Sequence, residues 1–336
     1  MILVTGGLGY IGSHTVIDLL DAGYKVVVVD NLSNSAVDVI PRINQITSKS
    51  FFFEAGDIRD GEFLNSIFKR YPIASVIHFA GLKSVAESLK SPNMYFDVNV
   101  TGTLVLLDVM EKHRVFKLVY SSSATVYGIP KRNPICEHFD IGATCNPYGT
   151  SKFLTERILS ATANSNSSWA ITVLRYFNPI GAHESGLVGE SPSSTPANLV
   201  PYLTLVAIGK LDSLAIYGND YETPDGTGIR DYIHVLDLAA GHIKALEYLD
   251  AAVGIDSFNL GTGKGYSVLD VVENFNMVTG LKVNFTFAPR RLGDVAVCFS
   301  DPSKANRVLK WSANRSLEIM LVDAWRWQSQ NPDGYV

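Results

Sequence analysis

Apolar residues fall along the first half of the chain in two alternating rhythms. Short unbroken aliphatic runs give way to longer stretches in which apolar positions recur every three or four residues. Residues 1–5 form the first run and pass directly into Gly6, Gly7, Gly9 and Gly12. A helical period follows over residues 13–22, Gly23 ends it, and residues 25–30 make a second run closing on Asp30. The order predicted is strand, loop, helix, strand. The same rhythm predicts further strands at 51–53, 74–79, 116–120 and 170–174, and helices at 94–113 and 147–163. Strands apolar at every position are buried on both faces. The pattern therefore predicts an α/β fold with a doubly wound parallel sheet covered by helices on each side. Loops that follow the strand C-termini then converge on one crevice.

From about residue 178 the pattern loosens. Pro, Gly and Ser concentrate over 178–196 and again over 219–228, which predicts a smaller, mixed α/β lobe. The expected division is 1–177 and 178–336, with segments near 231–262 returning to the first part. Residues 232–235 and 258–260 are expected to rejoin the main sheet.

Composition narrows the function classes. The 336 residues are 46% hydrophobic and 18% charged, with a net charge of -5 and no basic run, so nucleic acid is not an expected partner. Apolar runs are strand-length, so no membrane span is expected. The chain opens in a strand without a basic leader, so no secretory signal is expected. Cys136, Cys145 and Cys298 have unrelated spacings, and the seven histidines show no ligand spacing, so neither a disulfide framework nor a metal is expected. A reducing cytoplasm suits this cysteine usage.

The glycine loop ahead of a helix N-terminus suits a dinucleotide. Glycines let the backbone approach a pyrophosphate, and the first turn offers free N–H groups. Asp30, ending the second strand, suits the two hydroxyls of an adenosine ribose and would repel a 2′-phosphate. No Arg or Lys follows in Asn31, Leu32, Ser33, Asn34 or Ser35, which favours NAD over NADP. Tyr148 and Lys152 sit four apart on a predicted helix, so both point to one side. A phenol titrates near ~10 alone, and a neighbouring ammonium favours phenolate, which would make Tyr148 a base for a sugar or alcohol hydroxyl. Ser123, at a strand end, can hydrogen-bond the same hydroxyl.

Taken together, Gly6 to Gly12, Asp30, Asp57, Ser123, Tyr148 and Lys152 resemble the extended short-chain dehydrogenase/reductases, whose fold is of the Rossmann type. His78-Phe-Ala-Gly-Leu-Lys83, Tyr120-Ser-Ser-Ser-Ala-Thr-Val-Tyr127, Leu174-Arg-Tyr-Phe-Asn-Pro179 and Asp225-Gly-Thr-Gly-Ile-Arg-Asp-Tyr-Ile-His234 narrow the resemblance to the UDP-galactose 4-epimerase family. It runs nearly end to end. The resemblance implies epimerisation at C4 through a 4-keto sugar on tightly held NAD, with Tyr148 as base. It implies NAD contacts at Gly6, Gly9, Tyr10, Ile11, Gly12, Asp30, Asn31, Leu32, Ser33, Asn34, Ser35, Asp57, Ile58, Phe79, Ala80, Gly81, Leu82, Lys83, Asn99, Ser123, Tyr148, Lys152 and Phe177. It implies UDP-sugar contacts at Lys83, Ser123, Tyr148, Asn178, Asn198, Leu199, Ala215, Ile216, Tyr217, Arg230, Arg291 and Asp294. Val98 departs from the family's frequent asparagine, and only Asn99 beside it takes the role. The family commonly forms homodimers through helices near 94–113 and 147–163.

Sugar-nucleotide dehydratases share the fold, but Ser122 and Ala124 flank Ser123 without the carboxylate that dehydration needs. A non-catalytic NAD-binding regulator is disfavoured by the intact Ser123, Tyr148 and Lys152. Cys298 falls at the family's substrate gate, where a bulky Tyr accompanies restriction to glucose and galactose and a small residue accompanies acceptance of N-acetylhexosamines. The resemblance thus implies action on UDP-GlcNAc and UDP-GalNAc as well.

Overall fold

The first strand, β1 (Ile2–Thr5), is buried at all four positions, and α1 (Tyr10–Asp21) returns the chain to β2 (Val26–Asp30), buried at all five. The coordinates are a computed structural model and describe residues 1–192, 196–291 and 293–335. Alternate residues of the strands enter different cores. Ile2, Val4, Val26 and Val28 pack with Val16 and Leu20, whereas Leu3, Val27 and Val29 pack on the opposite face with Leu64, Ile67 and Leu106. An aliphatic run without polar alternation encodes this double burial, worth about 1.5–3 kcal/mol for each such side chain.

The first part continues through α2 (Val39–Thr47), β3 (Phe52–Ala55), α3 (Gly61–Arg70), β4 (Ser75–His78), α4 (Val85–Lys90), α5 (Pro92–Phe96), α6 (Gly102–Lys112), β5 (Lys117–Ser123), α7 (Pro147–Ser165) and β6 (Ala170–Tyr176). Then come β7 (Asn178–Ile180), α8 (Leu199–Ala207), β8 (Leu214–Tyr217), β9 (Ile229–Arg230), β10 (Tyr232–His234), α9 (Val235–Tyr248) and β11 (Gly254–Leu260). The chain ends with β12 (Tyr266–Ser267), α10 (Val268–Thr279), β13 (Phe285–Ala288), β14 (Val297–Cys298), α11 (Ser303–Val308) and α12 (Leu317–Gln330).

Seven strands form one parallel sheet in the order β11-β6-β5-β4-β1-β2-β3, a Rossmann-type arrangement. The order reverses between β1 and β4, and sheets of this kind bind ligands beyond the C-terminal ends of the strands at such a point. A third core, built on Val200, Leu203, Ile216, Val271, Phe275 and Leu321, serves the second part.

Two expectations are corrected. The helix expected over 94–113 is three pieces: α5, a π-helical segment (Asp97–Thr101) and α6. The hydroxyls of Thr103 and Thr155 both donate to the Asn99 carbonyl there, at 2.7 and 3.3 Å. The strand expected to end in Ser121, Ser122 and Ser123 does so, and these serines pair in register with Leu174, Arg175 and Tyr176. Of the two segments expected to rejoin the main sheet, the one at 258–260 lies in β11. The one at 232–235 does not: β10 pairs with β7 in a separate two-stranded sheet, and the chain returns instead through α9, which packs on α1. Among the described residues no helix is long and apolar enough to cross a membrane, and no group of three His, Cys, Asp or Glu side chains could hold a metal.

Candidate active site

The glycines of the first loop have different reasons to be there. Gly6 has φ +70°, and a Cβ on it would lie 2.7 Å from the Ala80 nitrogen. A Cβ on Gly12 would lie 2.3 Å from the Gly6 carbonyl oxygen. Both are required by the chain's own packing. Gly9 is not: its φ is -69°, and a Cβ there would meet only the Gly6 oxygen, at 3.3 Å. Gly9 is the N-cap of α1, and no side chain caps that end. The first-turn N–H groups of Tyr10, Ile11 and Gly12 have no partner within a helix by geometry. An open, uncapped helix start whose one dispensable glycine faces it has the chemistry of a diphosphate cradle.

Asp30 is 8% exposed and already accepts three hydrogen bonds. Leu8 N–H reaches one oxygen at 3.0 Å; Leu32 N–H and the Ser35 hydroxyl reach the other at 3.0 and 2.8 Å. A carboxylate has about four acceptor sites, so one stays free, and rotation of Ser35 frees a second. That suits two ribose hydroxyls. Leu32 holds φ +60°, and Asn31 accepts from Ser33 N–H while donating to Asp57 at 3.0 Å. Ser33 and Asn34 lie exposed on the same loop. Asp57 itself is saturated. Besides Asn31 it accepts from Arg59 through N, Nε and Nη2 at 2.8–2.9 Å, and Arg59 holds its carboxyl well below the usual range. Asp57 therefore shapes the loop more than it offers acceptors. Ile58 is buried in the sheet's core and supplies an apolar floor.

The loop after β4 lies against the glycine loop. Phe79 and Ala80 N–H both donate to the Thr5 carbonyl, at 2.9 and 3.0 Å. Asn99, from the π-helical segment, clamps the next residues. Its Oδ1 accepts Leu82 N–H at 2.7 Å, and its Nδ2 donates to the Leu82 carbonyl at 3.0 Å and to Ser151 at 2.9 Å. A Cβ on Gly81 would lie 2.9 Å from that Oδ1. Lys83 reaches across to Glu190 at 2.8 Å, and the Tyr10 hydroxyl donates to the Gly181 carbonyl at 2.7 Å, so two links tie the first part to the second.

Tyr148, Lys152 and Ser123 are 7%, 6% and 8% exposed and come together where α7 covers the end of β5. Asn146 caps α7 by accepting Gly149 N–H at 2.8 Å, and Pro147 occupies the first turn, so the helix begins just before Tyr148. The Ser123 hydroxyl is close enough to the Tyr148 phenol to favour its ionised form. Lys152 Nζ donates to the Ser121 carbonyl at 2.8 Å and lies 4.9 Å from the Tyr120 ring centroid. Burial pushes Tyr148 up, and the neighbouring Ser123 hydroxyl opposes that rise. Burial lowers Lys152 to about 8, opposed by Glu156. Glu156 and its partner Arg175 were not singled out in the sequence. The signal available was the spacing, since Tyr148, Lys152 and Glu156 follow at i, i+4 and i+8.

The expected UDP-sugar residues form two groups. Arg291 stacks 3.9 Å from the Tyr217 ring centroid and donates to the Ala197 carbonyl at 3.3 Å, beside exposed Asn198 and half-buried Leu199 at the start of α8. Ala215 and Ile216 share β8 with Tyr217, but Ile216 is buried in the third core. Arg230 lies 3.6 Å from Asp294 and pairs in register with Cys298, and Asn178 N–H donates to the adjacent Asp231 carbonyl at 3.0 Å. Cys298 packs on the cluster of Phe177, Val126, Tyr127 and Ile135. Phe177 is buried within that cluster.

A family model described as GDP-mannose 4,6 dehydratase matches residues 3–324. The chain is 54% identical over 334 residues to the UDP-glucose 4-epimerase of Bacillus subtilis (strain 168), covering 99% of this chain and 98% of that protein. It is 50% identical to the UDP-glucose 4-epimerase of Bifidobacterium longum, solved with NAD+ and UDP, with a TM-score of 0.96 and 99% of each chain covered. It is 35% identical to the UDP-Glc/GlcNAc 4-epimerase of Campylobacter jejuni, with a TM-score of 0.85 over 98% of this chain and 99% of that one.

Proposed function

The chain belongs to the UDP-glucose 4-epimerases of the extended short-chain dehydrogenase/reductases, and on that premise we propose that it interconverts UDP-galactose and UDP-glucose on a tightly held NAD. The observation that carries this reading is the meeting of buried Tyr148, Ser123 and Lys152 at the end of β5, in the crevice that begins at the uncapped start of α1. Bound NAD supplies a reversible two-electron acceptor for C4 of the sugar, so no net redox change results. Tyr148 takes the proton from the sugar O4 and later returns it. Ser123 hydrogen-bonds that same oxygen and steers it toward the phenol. Lys152 holds the nicotinamide ribose. Arg230 and Arg291, whose planar guanidinium groups suit paired oxygens, hold the diphosphate. Asp30 receives the adenosine ribose. Although the matching family model is named for a dehydratase, the turn after Ser123 (Ala124–Tyr127) has no acidic residue to take a proton from C5.

We extend the proposal to UDP-GlcNAc and UDP-GalNAc. Cys298 is a small side chain packed on Phe177 and placed opposite Arg230, so it leaves volume for an acetamido group as the 4-keto sugar turns. The resemblance to an epimerase of both sugar classes in Campylobacter jejuni supports this breadth. The reading also includes the division at 177/178 and a homodimer. Exposed Leu89, Met94, Leu104 and Leu154, on α4 to α7, offer the apolar face such a dimer needs. Product analysis with the four UDP-sugars tests the breadth. Wild type should turn over all four, and Cys298→Tyr should abolish the N-acetyl reactions selectively, since overpacking costs roughly 1–3 kcal/mol or more. A wild type inert toward both N-acetyl sugars contradicts the extension and leaves the epimerase reading standing.

A further inference from the structure

Three helical positions of α7 meet three consecutive residues of β5. Tyr148 lies beside Ser123, Lys152 donates to the Ser121 carbonyl at 2.8 Å, and Glu156 accepts from the Ser122 hydroxyl at 2.6 Å. The third rung is charged and buried: the Glu156 and Arg175 side chains are 5% and 7% exposed. Arg175 Nε donates to both carboxylate oxygens at 3.1 and 3.2 Å, and Nη2 donates to Oε2 at 2.6 Å. Arg175 lies opposite Ser122 in the β5–β6 register, so one carboxylate ties α7 to two adjacent strands. Behind it, Arg175 Nη1 donates to the Tyr127 hydroxyl at 3.0 Å and the Glu137 carbonyl at 3.3 Å, and Tyr127 donates to Asn259 at 2.7 Å. Burying an ion pair is a poor route to stability, since apolar residues of like volume usually do as well. Its position suggests another use.

We propose that Glu156 is a positioning residue for the Tyr148–Lys152 pair: it locks the end of β5 against α7 and keeps a negative charge one helical turn behind the Lys152 ammonium. This rests on the reading of Tyr148 as the base. The titratable groups around that ammonium are Tyr148 and Glu156 on α7, Tyr120 on β5, His78 on β4, and Arg175 and Tyr176 on β6. His78 is held neutral by burial, Tyr120 and Tyr176 are held protonated, and Arg175 is engaged by Glu156. Glu156 is the charge that opposes the burial of Lys152. The ammonium must stay charged to support a phenolate beside it, so the carboxylate acts on the base through Lys152.

The test is the pH dependence of UDP-galactose epimerisation by the full chain, from about pH 6 to about pH 10. Glu156→Gln removes the charge. The basic limb, set by Lys152, should move down by about half to one pH unit, with KM within about two-fold of wild type. Glu156→Asp keeps the charge and should restore the limb while kcat stays lowered. A basic limb of Glu156→Gln that superimposes on that of wild type overturns the proposal, since a merely structural role lowers activity without moving it. If Glu156→Gln does not fold, Ser122→Ala decides: it should lower kcat several-fold at unchanged KM, and a wild-type kcat overturns the proposal. Tyr148→Phe separates the two claims, because turnover in that variant refutes the base itself rather than the role of Glu156.

Discussion

At Tyr148 two opposing effects meet in one phenol. Burial raises it and the Ser123 hydroxyl lowers it, so its action as a base depends on the cationic surroundings assembled around it. Tyr148→Phe should keep the fold and bound NAD while turnover falls by about 10²–10⁴-fold. Turnover within a few-fold of wild type, by the same assay, would refute the role. A second residue carries a stability signature. Burial, helped by Asp21 and Asp237 and opposed by Arg315, pushes the Asp18 carboxyl up to about 7. A carboxyl raised in the folded state contributes stability fully present below its unfolded value near ~4 and lost as pH rises through about 7. Asp18→Asn should therefore raise the melting temperature at about pH 8 and change it little at about pH 4. The opposite ordering in thermal melts would contradict this. The Tyr148–Lys152 pairing was legible in the sequence because i and i+4 define a helix face. The Lys83–Glu190 bond was not, since its partners stand 107 residues apart and only the folded crevice joins them. Nor did the sequence show that Asp57 spends its acceptors on Arg59, a fact of loop geometry.

The elements were legible where burial is complete. Residues 1–5 and 25–30 read as strands because their inner positions, 2–4 and 26–29, are all apolar, and those positions lie buried inside the sheet. The serine end of β5 has neither apolar character nor alternation, and pairing with β6 holds it in the strand. The π-helical segment escaped the sequence pattern because Asn99 and Thr155 meet only when α7 docks. The glycine loop gives the sharpest test at this scale. Gly12→Ala sets a methyl against the Gly6 backbone and should cost the fold. Gly9→Ala needs only a few tenths of an ångström of adjustment, so it should melt near wild type and yet purify without NAD. Stoichiometric NAD in Gly9→Ala, measured after denaturation, would contradict the cradle.

For the whole molecule, acid is the lever the structure exposes. His14, His78 and His242 are fully buried, and burial lowers them to about 3, 3 and 4. His242 Nδ1–H donates to the Leu238 carbonyl, so its Nε2 accepts from Ser121 and the ring sits neutral beneath the site. The unfolded chain takes protons on these rings below about pH 6.5 and the folded chain does not. Stability is thus intact above that value and falls with pH by up to about 4 kcal/mol per unit once all three titrate in the unfolded state. Urea titrations at about pH 7 and about pH 5 should show the loss, and equal midpoints would contradict it. The central claim, epimerisation at C4 on a retained cofactor, is tested most directly by one incubation. Protein purified without added cofactor is mixed with UDP-galactose, and the nucleotide sugars and cofactor are quantified together. The account predicts UDP-glucose formed over many turnovers with no net reduction of the NAD it carries. Unchanged UDP-galactose, a 4-keto-6-deoxy product, or cofactor reduced in step with substrate would contradict it.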